Sequence, residues 1–178
     1  MVFAAEKEKI NKPGDRDIPY RVCFVCTGNT CRSPMAEAIL NHMGKHPVTL
    51  PNGLSKNGEK RIITATSAGV APIEGMPISH NSTEALMKNG IYPTPENPYD
   101  THTARMIDES DFLLCDLVVG ISERHTVALI GAFPQYASKI VSMPRDIPDP
   151  FGGDISEYEE CFDKIKSYIE KMFFENEE

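Results

Sequence analysis

No stretch of this sequence approaches the roughly 20 consecutive apolar residues that a membrane-spanning helix requires. The opening run Met1-Val2-Phe3-Ala4-Ala5 gives way to Glu6-Lys7-Glu8-Lys9 too soon for a secretory signal. Positive charge is also short: 18 Lys and Arg against 26 Asp and Glu leave a formal charge of −8. That balance argues against nucleic acid or an anionic membrane as a partner. Cysteine is sparse and odd in number, five in 178 residues. A disulfide framework is therefore not implied, and a reducing, cytoplasmic setting fits best. No second Cys/His pair stands at ligand spacing beside Cys23, Cys26 and Cys31, which sets a zinc site aside. Internal repeats and low-complexity segments are lacking too. What is present is a globular composition, 40% hydrophobic and 25% charged, long enough for one domain with a full core.

Residues 1–19 are polar, contain Lys12-Pro13-Gly14, and read as a solvated tail ahead of a single domain over 20–178. Arg21–Val25 is a short β-branched run that predicts a buried strand, followed by a helix from Pro34 to about Met43. The stretch 45–60 carries Pro47, Pro51, Gly53 and Gly58 without an apolar period. It is expected to be a loop, a tolerated insertion at the sheet end away from the start of that helix. Arg61–Ser67 predicts the second strand, and Pro77-Ile78-Ser79 opens a helix closed by Asn89-Gly90. Tyr92–Pro98 is too rich in proline for regular structure. An amphipathic helix is expected through Met106, Ile107, Leu113 and Leu114. Strands follow over Asp116–Ile121 and Lys139–Val141, with a helix between them over Glu123–Ala132. From about Ser156 a last helix carries Tyr158, Phe162, Ile165, Ile169 and Met172 as one apolar stripe. Strands alternating with helices predict an α/β fold, a three-layer doubly wound four-stranded parallel sheet with helices on both faces. Ligands of such folds bind at the carboxyl ends of the strands.

One such end is chemically distinctive. Cys26-Thr27-Gly28-Asn29-Thr30-Cys31-Arg32-Ser33-Pro34 joins the first strand to the first helix, with five residues between Cys26 and Arg32. A loop entering a helix N-terminus turns unpaired N–H groups and positive potential toward one point, which favours an anion. The spacing can wrap the backbone from Thr27 to Cys31 around one tetrahedral anion, with a thiol beneath and a guanidinium fork against two oxygens. The same field favours Cys26 as a thiolate, in line for phosphoryl transfer. The competing reading is a tight turn holding two ordinary buried cysteines. A second loop, Asp149-Pro150-Phe151-Gly152-Gly153, is an irregular turn before the last helix. By itself it reads equally as an Asp-Pro turn.

The string from Cys26 to Pro34 closely resembles the signature loop of the low-molecular-weight protein-tyrosine phosphatases, a family that includes bacterial protein-arginine phosphatases and some arsenate reductases. Asp149-Pro150-Phe151 resembles the acid loop of that family, Ser67-Ala68-Gly69-Val70 a segment it carries at this place, and His102-Thr103-Ala104-Arg105 its His-x-Ala-Arg. The resemblance implies the family's four-stranded fold and hydrolysis through a phosphocysteine. Cys26 is then the nucleophile, Arg32 the phosphate-binding cation, and Asp149 the general acid and later the general base. Thr27, Gly28, Asn29, Thr30, Cys31 and Ser33 bind the phosphate. Asn29 takes a left-handed conformation and braces the loop, with Ser67 and His102 grouped around it, and Ser33 donates to the Cys26 sulfur. Cys31 is implied as a redox partner of the nucleophile. Cys23, Cys115 and Cys161 read as core cysteines, and His42, His46, His80 and His125 as ordinary histidines.

Thr30 bears on the substrate. Family members acting on phosphotyrosine usually carry a bulkier aliphatic residue there, whereas the arginine phosphatases resemble the present Cys-Thr-Gly-Asn-Thr-Cys-Arg and share Asp-Pro-Phe-Gly-Gly. Phe151 is followed by Gly152 rather than by a second aromatic residue that would grip a phenol ring. Phosphoarginine is therefore the favoured substrate and phosphotyrosine the alternative. A thiol-dependent arsenate reductase is a weaker reading, since no cysteine lies between Gly120 and Asp149. A non-catalytic anion-binding module is disfavoured by the presence of nucleophile, arginine and acid together. The resemblance implies phosphorylated proteins as substrates, inorganic phosphate as product, no cofactor, no metal, and a monomer.

Overall fold

The computed structural model of the protein describes residues 18–51, 53–54 and 60–175. The tail expected over 1–19 lies outside the described residues except for Ile18 and Pro19. The chain runs through β1 (Tyr20–Cys26), α1 (Arg32–Met43), a two-stranded ribbon of β2 (Val48–Thr49) and β3 (Lys60–Arg61), and β4 (Ile63–Gly69). It continues through α2 (His80–Lys88), α3 (Glu109–Leu114), β5 (Leu117–Gly120), α4 (Glu123–Ala132), β6 (Ile140–Ser142) and α5 (Ile155–Phe173). The main sheet is four-stranded, ordered β4-β1-β5-β6, with every neighbouring pair parallel. This is the doubly wound α/β sheet expected from the alternation of elements.

Alternation along β1 divides the core. Val22, Phe24 and Cys26 face a cluster built with α1, α2 and α5, while Cys23 and Val25 face a second one with Phe112, Cys115 and Leu129. The chain leaves β1 toward β4 on one side and later toward β5 on the other. The carboxyl end of β1 is therefore the topological switch point where a crevice opens. Cys26 is the last residue of that strand.

Several boundaries depart from the sequence reading. α1 begins at Arg32, which places Pro34 third in the helix, where its missing N–H still costs no helical bond. The segment 45–60 is not wholly loop: Val48 pairs with Arg61 and Thr49 with Lys60, and Leu50 is buried in the main core. Arg61 thus belongs to the ribbon rather than to the second main strand, and its guanidinium is held by the carbonyls of Ile18 and Pro19 at 3.0 and 3.2 Å. The helix expected from Met106 begins only at Glu109, because Asp108 and Asp111 form a capping box there. Arg105–Ile107 instead runs beside the end of β4, with Ile107 N donating to Gly69 O, and Leu113 and Leu114 are exposed. α5 carries the apolar stripe as read, with Tyr158, Phe162, Ile165 and Ile169 buried and Asp154 capping its N-terminus.

Candidate active site

Between β1 and α1 the chain makes its only left-handed turn at a non-glycine among the described residues, at Asn29 with φ of 54°. Asparagine tolerates this conformation, and every polar atom of Asn29 has a partner. Its amide nitrogen donates to Ser33 Oγ and Ser67 Oγ, both at 2.9 Å, and its side-chain oxygen accepts from Arg105 N at 3.0 Å. Its carbonyl accepts from His102 Nε2 at 2.8 Å, which fixes the donor nitrogen of that ring. Its backbone N–H points at Cys26 Sγ, 3.3 Å away. Ser67 and His102 thus lie around Asn29.

Ser33 Oγ lies 3.0 Å from Cys26 Sγ while accepting from Asn29. Its single proton is left for the sulfur or for the Ala68 carbonyl at 3.3 Å. The N-terminus of α1, unlike those of α2, α3 and α5, has no side-chain cap, and its first turn carries no acidic residue. An uncapped helix start of this kind is a setting suited to an anion. Arg32, 2% exposed, closes the loop. One terminal nitrogen donates to Ile147 O at 3.2 Å and the other to Asp149 Oδ2 at 2.5 Å. Its Nε is buried and meets no acceptor among the described residues. A buried guanidinium donor left free beside an uncapped helix start is a receptor for an oxyanion.

Cys26, Thr30, Arg32, Asp149 and Phe151 line one cleft of about 450 Å³. Asp149 enters it on the loop before α5. That loop is turned by Gly152 at φ of 83° and held to α2 by Asn81 Nδ2 on Gly153 O at 3.3 Å. Phe151, 76% exposed, stands at the rim with Ile73 and Met76. Ser79 N donates to Thr30 O at 2.8 Å, so α2 holds both the anion loop and the acid loop. Cys31 lines the same cleft as a free thiol, 3.4 Å from Tyr158 OH. Burial, reinforced by Cys31, pushes the Tyr158 phenol up to about 12. Cys23, Cys115 and Cys161 are buried and do not line the cleft.

Two residues of this environment had no sequence signal. Glu37, inside the helix expected from Pro34 to Met43, accepts from Ser67 Oγ at 2.6 Å and so ends the chain Asn29–Ser67–Glu37. Burial pushes its carboxyl up to about 7, against the pull of Ser67 and Arg105. His125, read as an ordinary helix histidine, is buried and lies 3.0 Å from Thr27 Oγ1.

Comparison with known proteins agrees with this geometry. The model of the low molecular weight phosphotyrosine protein phosphatase family matches residues 21–178. The protein-arginine-phosphatase of Geobacillus stearothermophilus is 29% identical, the match covering 87% of this chain and 95% of the relative. The low molecular weight protein-tyrosine-phosphatase PtpB of Staphylococcus haemolyticus is 31% identical, over 85% of this chain and 96% of its own. Among solved structures, a low molecular weight protein tyrosine phosphatase from T. tengcongensis superposes with a TM-score of 0.71 at 35% identity, covering 85% of this chain and 95% of that one. With its doubly wound sheet, its anion loop at the switch point and these relatives, the chain belongs to the low molecular weight phosphotyrosine protein phosphatase family and is a cysteine-dependent protein phosphatase.

Proposed function

We propose that this phosphatase hydrolyses phosphoarginine in proteins, with Cys26 as nucleophile, Arg32 as phosphate clamp and Asp149 as acid and base. In the first step the Cys26 sulfur attacks phosphorus, an S–P bond forms and the P–N bond breaks. Asp149 delivers its proton to the departing guanidine nitrogen. In the second step Asp149 takes a proton from water, the water oxygen attacks phosphorus, and the S–P bond breaks to release inorganic phosphate and the Cys26 thiolate. Arg32 and the loop amides carry the charge of the transferring group, and Ser33 supports the sulfur as it leaves. The observation supporting this most strongly is that Cys26, Arg32 and Asp149 line one cleft, with Arg32 Nε buried and without an acceptor among the described residues.

Thr30 on the cleft wall supports the arginine reading, as does the Asp149 carboxylate, which suits a guanidinium. A second reading, phosphotyrosine, is favoured by the apolar rim of Ile73, Met76 and Phe151, which suits a ring. Arsenate reduction is disfavoured because Cys115 and Cys161 do not line the cleft. The same proposal treats residues 20–178 as one catalytic domain that works as a monomer in the cytoplasm, with Cys31 as the thiol that pairs with Cys26 under oxidation. The test is turnover of matched phosphoarginine and phosphotyrosine peptides by the wild type and by Thr30→Ile. Preference for arginine in the wild type, with tyrosine turnover gained in the variant, supports the proposal. A wild type that prefers phosphotyrosine overturns it.

A further inference from the structure

His125 lies outside every motif in the sequence, yet both of its ring nitrogens are engaged. Nδ1 lies 2.8 Å from Ser122 Oγ, and Nε2 lies 3.0 Å from Thr27 Oγ1. The ring is 2% exposed, in the first turn of α4. Burial, and then Arg32 and Arg124, drive its basicity down to about 4, so it is neutral, with one nitrogen donating and the other accepting. Ser122 is the N-cap residue of α4, but its side chain caps none of that helix's backbone N–H groups. Its hydroxyl goes to the histidine instead, although a serine here ordinarily caps.

The platform beneath the ring is rigid. A Cβ added to Gly120 at the end of β5 would lie 2.8 Å from Thr126 N, so the first turn of α4 is pressed onto the sheet. Thr27, the residue after Cys26, is held on its other side by Ala71 N, which donates to its carbonyl at 3.0 Å. The Thr27 hydroxyl is thus tied to α4 and its carbonyl to the strand extension, at the base of the anion loop. We propose that His125 is a positioning residue for phosphoryl transfer. It fixes the Thr27 side chain, and through it the peptide between Thr27 and Gly28 that the transferring phosphoryl group meets. It touches no substrate. The inference rests on the reading of Cys26 as nucleophile.

The test is a double-mutant cycle of His125→Ala and Thr27→Val, with His125→Gln and Thr27→Ser alongside, using p-nitrophenyl phosphate and thermal unfolding. Each single loss should lower kcat by about tenfold or more while KM moves by less than about threefold. The double variant should be no slower than the slower single one, because both remove the same contact. His125→Gln, whose amide can still reach Thr27, should recover at least about threefold of the loss. Additive losses in the double variant, or a His125→Ala enzyme within about twofold of wild type, overturn the proposal. Should His125→Ala fail to fold, the Thr27 pair decides: Thr27→Ser, which keeps the hydroxyl, must be at least about threefold faster than Thr27→Val, and equal rates overturn it. Cys26→Ser, run in parallel, separates the two readings, since turnover surviving there defeats the nucleophile assignment whatever His125 does.

Discussion

Arg32 and Asp149, 117 residues apart in sequence, meet at 2.5 Å between Nη2 and Oδ2. The pair joins the cation of the anion loop to the carboxylate of the acid loop, one end buried and the other 42% exposed. An asparagine at position 149 can still accept from Arg32 but can neither give nor take the proton. Asp149→Asn should therefore lower kcat by about 10²–10³-fold with KM little changed. The loss should shrink for substrates whose leaving group needs no proton. Steady-state kinetics across a leaving-group series checks both points.

Asn29 combines a left-handed backbone with bonds to Ser33, Ser67, His102 and Arg105. Asn29→Ala loses the side-chain bonds and keeps the strained backbone, whereas Asn29→Gly loses the bonds alone. Both should lose activity, but the glycine variant should be the more stable by about 1 kcal/mol. Urea denaturation measures the difference.

Much of this site was legible because its chemistry is local. Cys26, Arg32 and Ser33 sit in one strand–loop–helix passage, and Asp149 in one proline–glycine turn. What escaped was set by partners far along the chain. Glu37 is an ordinary helix former until Ser67, 30 residues away, places a hydroxyl beside it. His125 gains its neighbour from Thr27, 98 residues away. Leu50 sits in a proline- and glycine-rich stretch whose composition reads as loop, and only docking onto the core makes it structural. α3 starts later than its composition suggests, because the apolar pair Met106-Ile107 looks helical while the Asp108–Asp111 capping box sets the boundary after it.

Glu37 and His125 titrate in opposite senses. The Glu37 carboxyl, raised from 4.5 to about 7, keeps a proton that the unfolded chain has released, so stability falls as pH rises through that window. His125, lowered from 6.5 to about 4, lacks a proton that the unfolded chain binds, so stability rises as pH rises from about 4 to 6.5. Glu37→Gln keeps an acceptor for Ser67 and removes the falling limb. Relative to wild type it should gain roughly 3 kcal/mol between pH 4.5 and pH 8, read by denaturation at both. An identical difference at the two pH values would contradict the assignment.

Leu50, 2% exposed, ties the ribbon segment to the main core. Leu50→Ala should cost about 2–4 kcal/mol of stability, measured by chemical denaturation. Because Leu50 does not line the catalytic cleft, kcat should stay near wild type under conditions where the variant is folded.

A phosphoryl group held on the Cys26 sulfur during turnover is what the proposed mechanism requires. Rapid acid quench of the working enzyme, followed by mass spectrometry of its peptides, should find one phosphoryl group on the peptide carrying Cys26. With a substrate whose leaving group needs no proton, Asp149→Asn slows only the release by water and should enrich it. Steady turnover with that peptide unmodified in both enzymes, or with the phosphoryl group on another residue, would contradict the assignment of Cys26 as nucleophile.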